Sequence, residues 1–318
     1  MAKTLESNLG VSAQLIPVGT LELPVLRAIK QALADDLKVV CCVTFGVYRR
    51  FCNPTKLMEV MNSFAREDAV QTKRILPYLI AWCRTRVYEA FVFLVSITAG
   101  ACIIFYLHWR PTPVLVRRLL RFWSCGYIYG AKYILGVSYR VEGLEHIPSG
   151  PVIYMGNHLT AWESVMMTVL VPHVNMVTKR AAMTIPVFGW GLKHAPMTPI
   201  DPDTPGKNIR RLLKEGKASI RAGRSMVIFP EGSRVPIGET RPYARGYEIL
   251  YKHCGVQVVP FVTDSGLHWP SGYATKPPAE ITLRFLPPIA AGKDPNEFAK
   301  ELEETIRSEA GKLMASQV

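Results

Sequence analysis

The sequence predicts an α/β domain preceded by a pair of membrane-anchoring helices. From Tyr139 onward, short apolar runs alternate with longer amphipathic stretches. Upstream of that point, no Asp, Glu, Lys or Arg falls between Glu89 and Arg110. The short runs, at 152–155, 175–178, 226–229, 257–262 and 281–285, have the length and the Val, Ile and Phe content of buried strands. The stretches between them read as helices: one beginning at Trp162 and reaching 170, a basic one over 205–222 and a shorter one over 245–253. Asp294 followed by Pro295 supplies an N-cap and a first-turn proline for a last helix running to about residue 314.

The uncharged run, dominated by Phe, Val, Leu and Ile over 90–107, matches a bilayer core: about 20 residues at ~1.5 Å each give roughly 30 Å. It starts too far along the chain, and lacks a small-residue cleavage site, to read as a signal peptide. Lys73, Arg74, Arg84 and Arg86 precede it, and Arg110, Arg117, Arg118 and Arg121 follow it. With both flanks basic, charge asymmetry sets no orientation for a single span. The pattern suits a segment that enters and returns to the same cytoplasmic face, turning at Pro111-Thr112-Pro113. Over 114–137, Phe122, Trp123, Tyr127, Tyr129 and Tyr133 are interleaved with Arg117, Arg118, Arg121 and Lys132, the makeup of a helix lying at a lipid interface. The chain therefore divides into an N-terminal extension of unknown role (1–70), with an amphipathic stretch at 23–40 and no motif, a membrane-anchoring helical region (71–137) and an α/β domain (138–318).

Charge and cysteine usage narrow the function classes. The 318-residue chain carries a formal net charge of +13, which points to nucleic acid or an anionic membrane surface. The basic residues cluster around the apolar helices and the loops of the α/β domain, and no nucleic-acid motif accompanies them. Cys41, Cys42, Cys52, Cys83, Cys102, Cys125 and Cys254 form an odd set without Cys-x-x-Cys spacing. Neither a zinc site nor a disulfide framework is indicated, and a reducing setting fits.

Two short blocks carry chemistry. In Gly156-Asn157-His158-Leu159-Thr160-Ala161-Trp162-Glu163 a base and a carboxylate stand five residues apart. Five residues of regular helix rotate about 500°, which would separate the side chains. His158 must therefore precede the helix, on the turn after strand 152–155, where Glu163 can reach back to one ring nitrogen. A carboxylate there fixes the tautomer and leaves the other nitrogen free to take a proton from a hydroxyl, with no serine or cysteine nucleophile required. The second block, Phe229-Pro230-Glu231-Gly232-Ser233-Arg234, closes a strand with a turn presenting a carboxylate, a hydroxyl and a guanidinium. The guanidinium fork suits phosphate.

Asn157-His158 with Glu163, followed by Phe-Pro-Glu-Gly-Ser-Arg, resembles the 1-acylglycerol-3-phosphate O-acyltransferase family. Further points of similarity are Val141-Glu142-Gly143, Ile147-Pro148, Lys179-Arg180, the run from Ile185 to Gly191, Ile200-Asp201, Val258-Val259-Pro260 and Trp269-Pro270. The resemblance covers roughly residues 117–311. This chain has Glu163 where Asp is commonest, Ser233 where Thr is usual, Ala181-Ala182 after Lys-Arg, and Pro202 after Ile-Asp.

The resemblance implies a glycerolphosphate-acyltransferase-like domain with a central mixed sheet flanked by helices. It implies transfer of a fatty acyl group from an acyl-CoA or acyl carrier protein thioester to the sn-2 hydroxyl of lysophosphatidic acid, giving phosphatidic acid, with no cofactor and no metal. His158 and Glu163 would be catalytic, and Lys179, Arg180, Glu231, Gly232, Ser233 and Arg234 substrate-binding. Arg245 stands near a position that is often basic in the family. The setting implied is the cytoplasmic membrane with the site facing the cytoplasm. A related acceptor (glycerol 3-phosphate, another lysophospholipid, a lipid A or ornithine-lipid precursor) and a non-catalytic lipid-binding membrane protein are the rival readings.

Overall fold

A computed structural model describes residues 77–318 apart from 103–104, 106–112, 185–188, 190–191, 194, 196, 202–203, 245, 271–274 and 318. The extension at 1–70, the Pro111-Thr112-Pro113 turn, most of the 185–191 run, Pro202 and Arg245 thus lie outside the described residues, wholly or in part.

Residues 76–318 form one compact unit. Its centre is a seven-stranded sheet of β1 (Val137–Glu142), β2 (Ile153–Gly156), β3 (Asn175–Lys179), β4 (Met197–Ile200), β5 (Met226–Ile228), β6 (Val258–Thr263) and β7 (Ala279–Phe285), in the order β1-β7-β6-β2-β5-β3-β4. The run β6-β2-β5-β3-β4 is parallel throughout, β7 pairs antiparallel to β6, and β1 pairs parallel to β7. The sheet is mixed, as the resemblance implies.

Period-two alternation in the central strands feeds two cores. Ile153 and Met155 of β2, Met226 and Ile228 of β5, and Val258 and Val262 of β6 face one core, completed by α4 (Pro205–Arg221), α5 (Gly246–Cys254) and α7 (Pro295–Ala315). Tyr154, Val227, Val259 and Phe261 face the other, which holds α2 (Pro113–Gly130) and α3 (Trp162–Leu170). All four residues of β2 are buried, the signature of a strand covered on both faces. α7 starts as expected: the Asp294 side chain accepts from the amides of Asn296 and Glu297.

The sequence reading missed the outer strands. The interfacial helix expected over 114–137 stops early and no strand is expected at 137–142; α2 ends at Gly130, a π-helical turn follows at Ala131–Leu135, and Gly136 at φ 79° turns the chain into β1. β4 contains Pro199, which a sheet tolerates at an edge because no ladder donor is needed there. Both are edge strands that bury one face at most, so neither shows a continuous apolar run.

The apolar helix α1 runs Pro77–Cys102 and is long and apolar enough to cross a membrane. It starts thirteen residues before Ala90, so Arg84, Arg86 and Glu89 lie on the same helix. α1 is fastened to its surroundings by polar and aromatic contacts. The ring of Tyr88 meets Tyr127 and Trp269 edge-on. Trp123 Nε1 donates to Ser96 Oγ at 2.8 Å, and Thr85 Oγ1 accepts the Lys276 amide at 3.0 Å. Its other face exposes Phe93, Leu94 and Ile97, and α2 with the π-helical turn after it exposes Phe122, Tyr129 and Tyr133, more apolar surface in one place than a water-facing domain usually shows.

The end of β2 constrains the site most tightly. A Cβ on Gly156 would lie 2.5 Å from the ring of the fully buried Phe261. Gly156→Ala is expected to destabilise the domain by about 1–3 kcal/mol through overpacking, read as a lower urea midpoint at unchanged slope; an unshifted midpoint would show that the ring has room to move.

Candidate active site

The site forms at the carboxyl ends of β2, β5 and β6, where open parallel sheets gather ligands because strands turn into helices there. Asn157, just past β2, is 4% exposed. Its side chain donates to the Thr263 carbonyl and accepts the Thr263 amide, both at 2.9 Å. This pins the turn after β2 to the end of β6. His158 follows on the turn, and α3 begins at Trp162.

Glu163 has no exposed surface. Its Oε1 accepts from His158 Nδ1 at 2.8 Å, the Leu159 amide at 2.8 Å and the Thr160 amide at 2.7 Å. Its Oε2 accepts from the hydroxyls of Thr160 at 2.6 Å and Ser265 at 2.8 Å. Burial pushes the carboxyl pKa upward, but the hydrogen bond and charge of His158 and the Thr160 donors outweigh it, and the net direction is down. Glu163 is thus held as a carboxylate. The Thr160 hydroxyl also accepts the Trp162 amide at 3.0 Å. Thr160 and Glu163 together make a capping box, with the threonine capping the helix and the glutamate reaching back to the threonine amide.

With Nδ1 bonded to the carboxylate, the neutral His158 ring carries its lone pair on Nε2. The Phe229 ring stacks on the imidazole at a centroid separation of 4.1 Å. The second block also grips the backbone of His158: the Glu231 carboxylate accepts the His158 amide at 2.8 Å, and the Val235 amide donates to the His158 carbonyl at 2.8 Å. Gly232 between them sits at φ 68°, a left-handed conformation that side-chain-bearing residues rarely adopt. Burial raises the Glu231 pKa to about 7; the His158 amide acts downward against it, and the nearby Glu163 charge adds to the rise.

A cavity of about 750 Å³ opens over the free face of His158. One part is polar and cationic, lined by Lys179, Gly232, Ser233, Arg234 and Arg241. Another is apolar, walled by Leu120 and Trp123 of α2, Val165 of α3, Met176 and Val177 of β3, and Met197 of β4. A base, a set of cations and an apolar slot share one space.

Residues 138–264 match a family described as Acyltransferase. That stretch takes in both sequence blocks, His158 to Glu163 and Phe229 to Arg234. It is 28% identical over 230 residues to a 1-acyl-sn-glycerol-3-phosphate acyltransferase of Pseudomonas aeruginosa, spanning 70% of this chain and 89% of that protein. It is 26% identical over 204 residues to one of Limnanthes douglasii, covering 63% and 70% of the two chains. The crystal structure of a 1-acyl-sn-glycerophosphate acyltransferase from Thermotoga maritima superposes with a TM-score of 0.60 at 21% identity, over 76% of this chain and 98% of that one, a likeness of fold.

Among the residues that the resemblance assigns to the site, the structure gathers His158, Lys179, Gly232, Ser233 and Arg234 around the cavity. Glu163 stands behind His158. Arg180 and Glu231 are not among the described lining residues: Arg180 lies 3.9 Å from Asp201, and Glu231 faces the His158 backbone, where it acts as a positioning residue. Thr160, Ser265 and Arg241 were missed. The Thr-x-x-Glu spacing could have revealed Thr160. Ser265 arrives from 102 positions away, and Arg241 reaches the cavity through a turned loop, its Nη1 donating to Ser233 Oγ at 2.6 Å; no local pattern announces either.

Three measurements follow from this geometry. Glu163→Gln turns an acceptor site that five donors share into one with its own N–H groups, and is expected to lower kcat between about 10²- and 10⁴-fold. Glu163→Asp, which keeps the charge, loses less; equal losses would mean that charge is not what the imidazole requires. Glu231→Ala should lower kcat while leaving the acceptor KM within about twofold, and Glu231→Gln, whose carbonyl can accept the same amide, should restore most of it. A dominant KM effect would place Glu231 on the substrate instead. Because its folded pKa lies above the ordinary 4.5, Glu231 favours the folded state at low pH, and that contribution is lost as pH rises through about 7. Glu231→Gln removes this part of the decline, visible as a smaller stability difference between pH 4.5 and 7 than in the parent.

Proposed function

We propose that this acyltransferase moves a fatty acyl group from a thioester donor, acyl-CoA or acyl carrier protein, to the sn-2 hydroxyl of lysophosphatidic acid, forming phosphatidic acid at a membrane surface. The observation that carries this reading is the shared cavity: the free side of His158 opens onto a space with Lys179, Arg234 and Arg241 at one part and an apolar wall at another. A lysolipid phosphate matches the first and an acyl chain the second. The related proteins named as acting on 1-acyl-glycerol-3-phosphate support the choice of acceptor.

In this reading His158 Nε2 takes the hydroxyl proton as the oxygen attacks the thioester carbonyl. The carbon–oxygen bond forms, the carbon–sulfur bond breaks, and the thiolate leaves. A thiolate needs little help at neutral pH, so one base suffices, and the imidazolium passes its proton to the departing sulfur or to solvent. Buried Glu163 stabilises the imidazolium while it exists. Arg234 binds phosphate as a fork, with Arg241 beside it through Ser233 and Lys179 as a point charge. The exposed apolar faces of α1 and α2 hold the enzyme to the bilayer that contains the lysolipid and the product, with the site on the cytoplasmic face of the membrane, where soluble thioesters arrive.

The test is thiol release from acyl-CoA against lysophosphatidic acid, glycerol 3-phosphate and phosphate-free lysolipids. Lysophosphatidic acid should give the highest kcat/KM, and a flat response across the panel would contradict the assignment. In the same assay Arg234→Lys is expected to raise the KM for lysophosphatidic acid about tenfold or more, with little change for the donor. Equal effects on both substrates would make Arg234 a structural residue.

A further inference from the structure

A second pocket adjoins the catalytic cavity. It encloses about 280 Å³ between the start of α2 and the turn after α3, and Leu120 and Thr168 line both spaces. Arg117, Arg118 and Arg121 from α2 meet His173 from the turn, and no carboxylate is among the residues lining it. None of the three arginines makes an ion pair among the described residues, and Arg117 Nε is buried with no hydrogen-bond partner among them. Three guanidinium groups gathered without counter-charge repel one another, and a buried donor without an acceptor is costly. His173 adds a strained backbone, being the one described non-glycine residue with positive φ, 58°. Such strain persists where surrounding structure holds it and clusters at ligand sites.

The setting identifies the anion. Val114 and Phe122 of the same helix are exposed, so the pocket opens beside apolar surface suited to acyl chains while its interior offers forked donors suited to phosphate oxygens. We propose that this pocket binds the phosphate headgroup of an anionic lipid of the host bilayer, at a site separate from the one that holds the lysolipid acceptor. The proposal rests on the reading of the chain as a membrane-bound acyltransferase. A headgroup held here docks the enzyme with its acyl-lined cavity one residue layer from the bilayer lipids, across the shared wall of Leu120 and Thr168.

The test is flotation of the full chain with phosphatidylcholine vesicles and with vesicles that also contain phosphatidic acid. The parent protein should partition more strongly to the anionic vesicles. Arg117→Lys/Arg121→Lys keeps the net charge and removes the fork; it should lose about tenfold in partition to anionic vesicles and nothing on phosphatidylcholine. Thiol release with acceptor in detergent micelles should stay at the parent rate, which shows that the variant folds. If the lysine variant binds anionic vesicles as the parent does, a diffuse field rather than a pocket attracts the membrane, and the proposal fails. It also fails if the parent does not distinguish the two vesicles, which leaves the acyl-transfer reading standing. Release of bound protein by soluble coenzyme A, but not by sulfate at equal ionic strength, would assign the pocket to the donor and overturn the lipid reading. Absence of binding to either vesicle would overturn both the pocket and the membrane reading, whatever the micelle assay shows.

Discussion

The buried carboxylate of Glu163 is the interaction on which the rest of the site depends. Five donors converge on it from two places: four from the turn after β2 and one from Ser265 after β6. A charge with no exposed surface is strongly unfavourable unless fully hydrogen-bonded, and here each oxygen is met by at least two donors. Meeting that requirement fixes the position of His158 as a by-product. The base is held where it is because the carboxylate can be satisfied in one arrangement.

The second block completes the same constraint from the other side. Phe229 lies flat on the imidazole, Glu231 takes the His158 amide, and Val235 takes the His158 carbonyl. Beyond Glu231 the chain turns at Gly232 and delivers Ser233 and Arg234 to the cavity. One loop thus clamps the His158 imidazole and presents the Arg234 guanidinium, so the spacing between the two is set within a single turn. Preorganisation of this kind lowers the cost of aligning the reacting hydroxyl.

How much of this was legible in the sequence depended on range. β2, β5 and β6 declared themselves because they are buried on both faces and so read as continuous apolar runs, and β3 and β7 through the shorter apolar stretches they bury. β1 and β4 did not, because edge strands alternate or carry proline. His158 and Glu163 were legible because the hydrogen bond between them spans five residues, and the Thr160 capping box lay within the same window. Ser265 and Arg241 reach the site through the topology of the sheet and a turned loop, which no local spacing encodes. Glu231 shows the limit differently: the resemblance grouped it with the substrate-binding residues, and its hydrogen bond to the His158 amide is visible only once β2 and β5 lie side by side.

The helical pair and the α/β body also form one unit rather than an anchor tied to an enzyme. Leu120, Trp123 and Tyr127 of α2 are cavity wall, and Tyr88 of α1 packs on Tyr127 and Trp269, so the elements that would meet lipid also shape the space for it. In the proposed reaction His158 activates the acceptor hydroxyl directly. Rapid mixing of enzyme with acyl-CoA, with thiol followed in the first turnover, tests it most directly. Direct transfer gives no thiol release until lysophosphatidic acid is added; a burst stoichiometric with enzyme before that addition would reveal an acyl-enzyme and contradict the account.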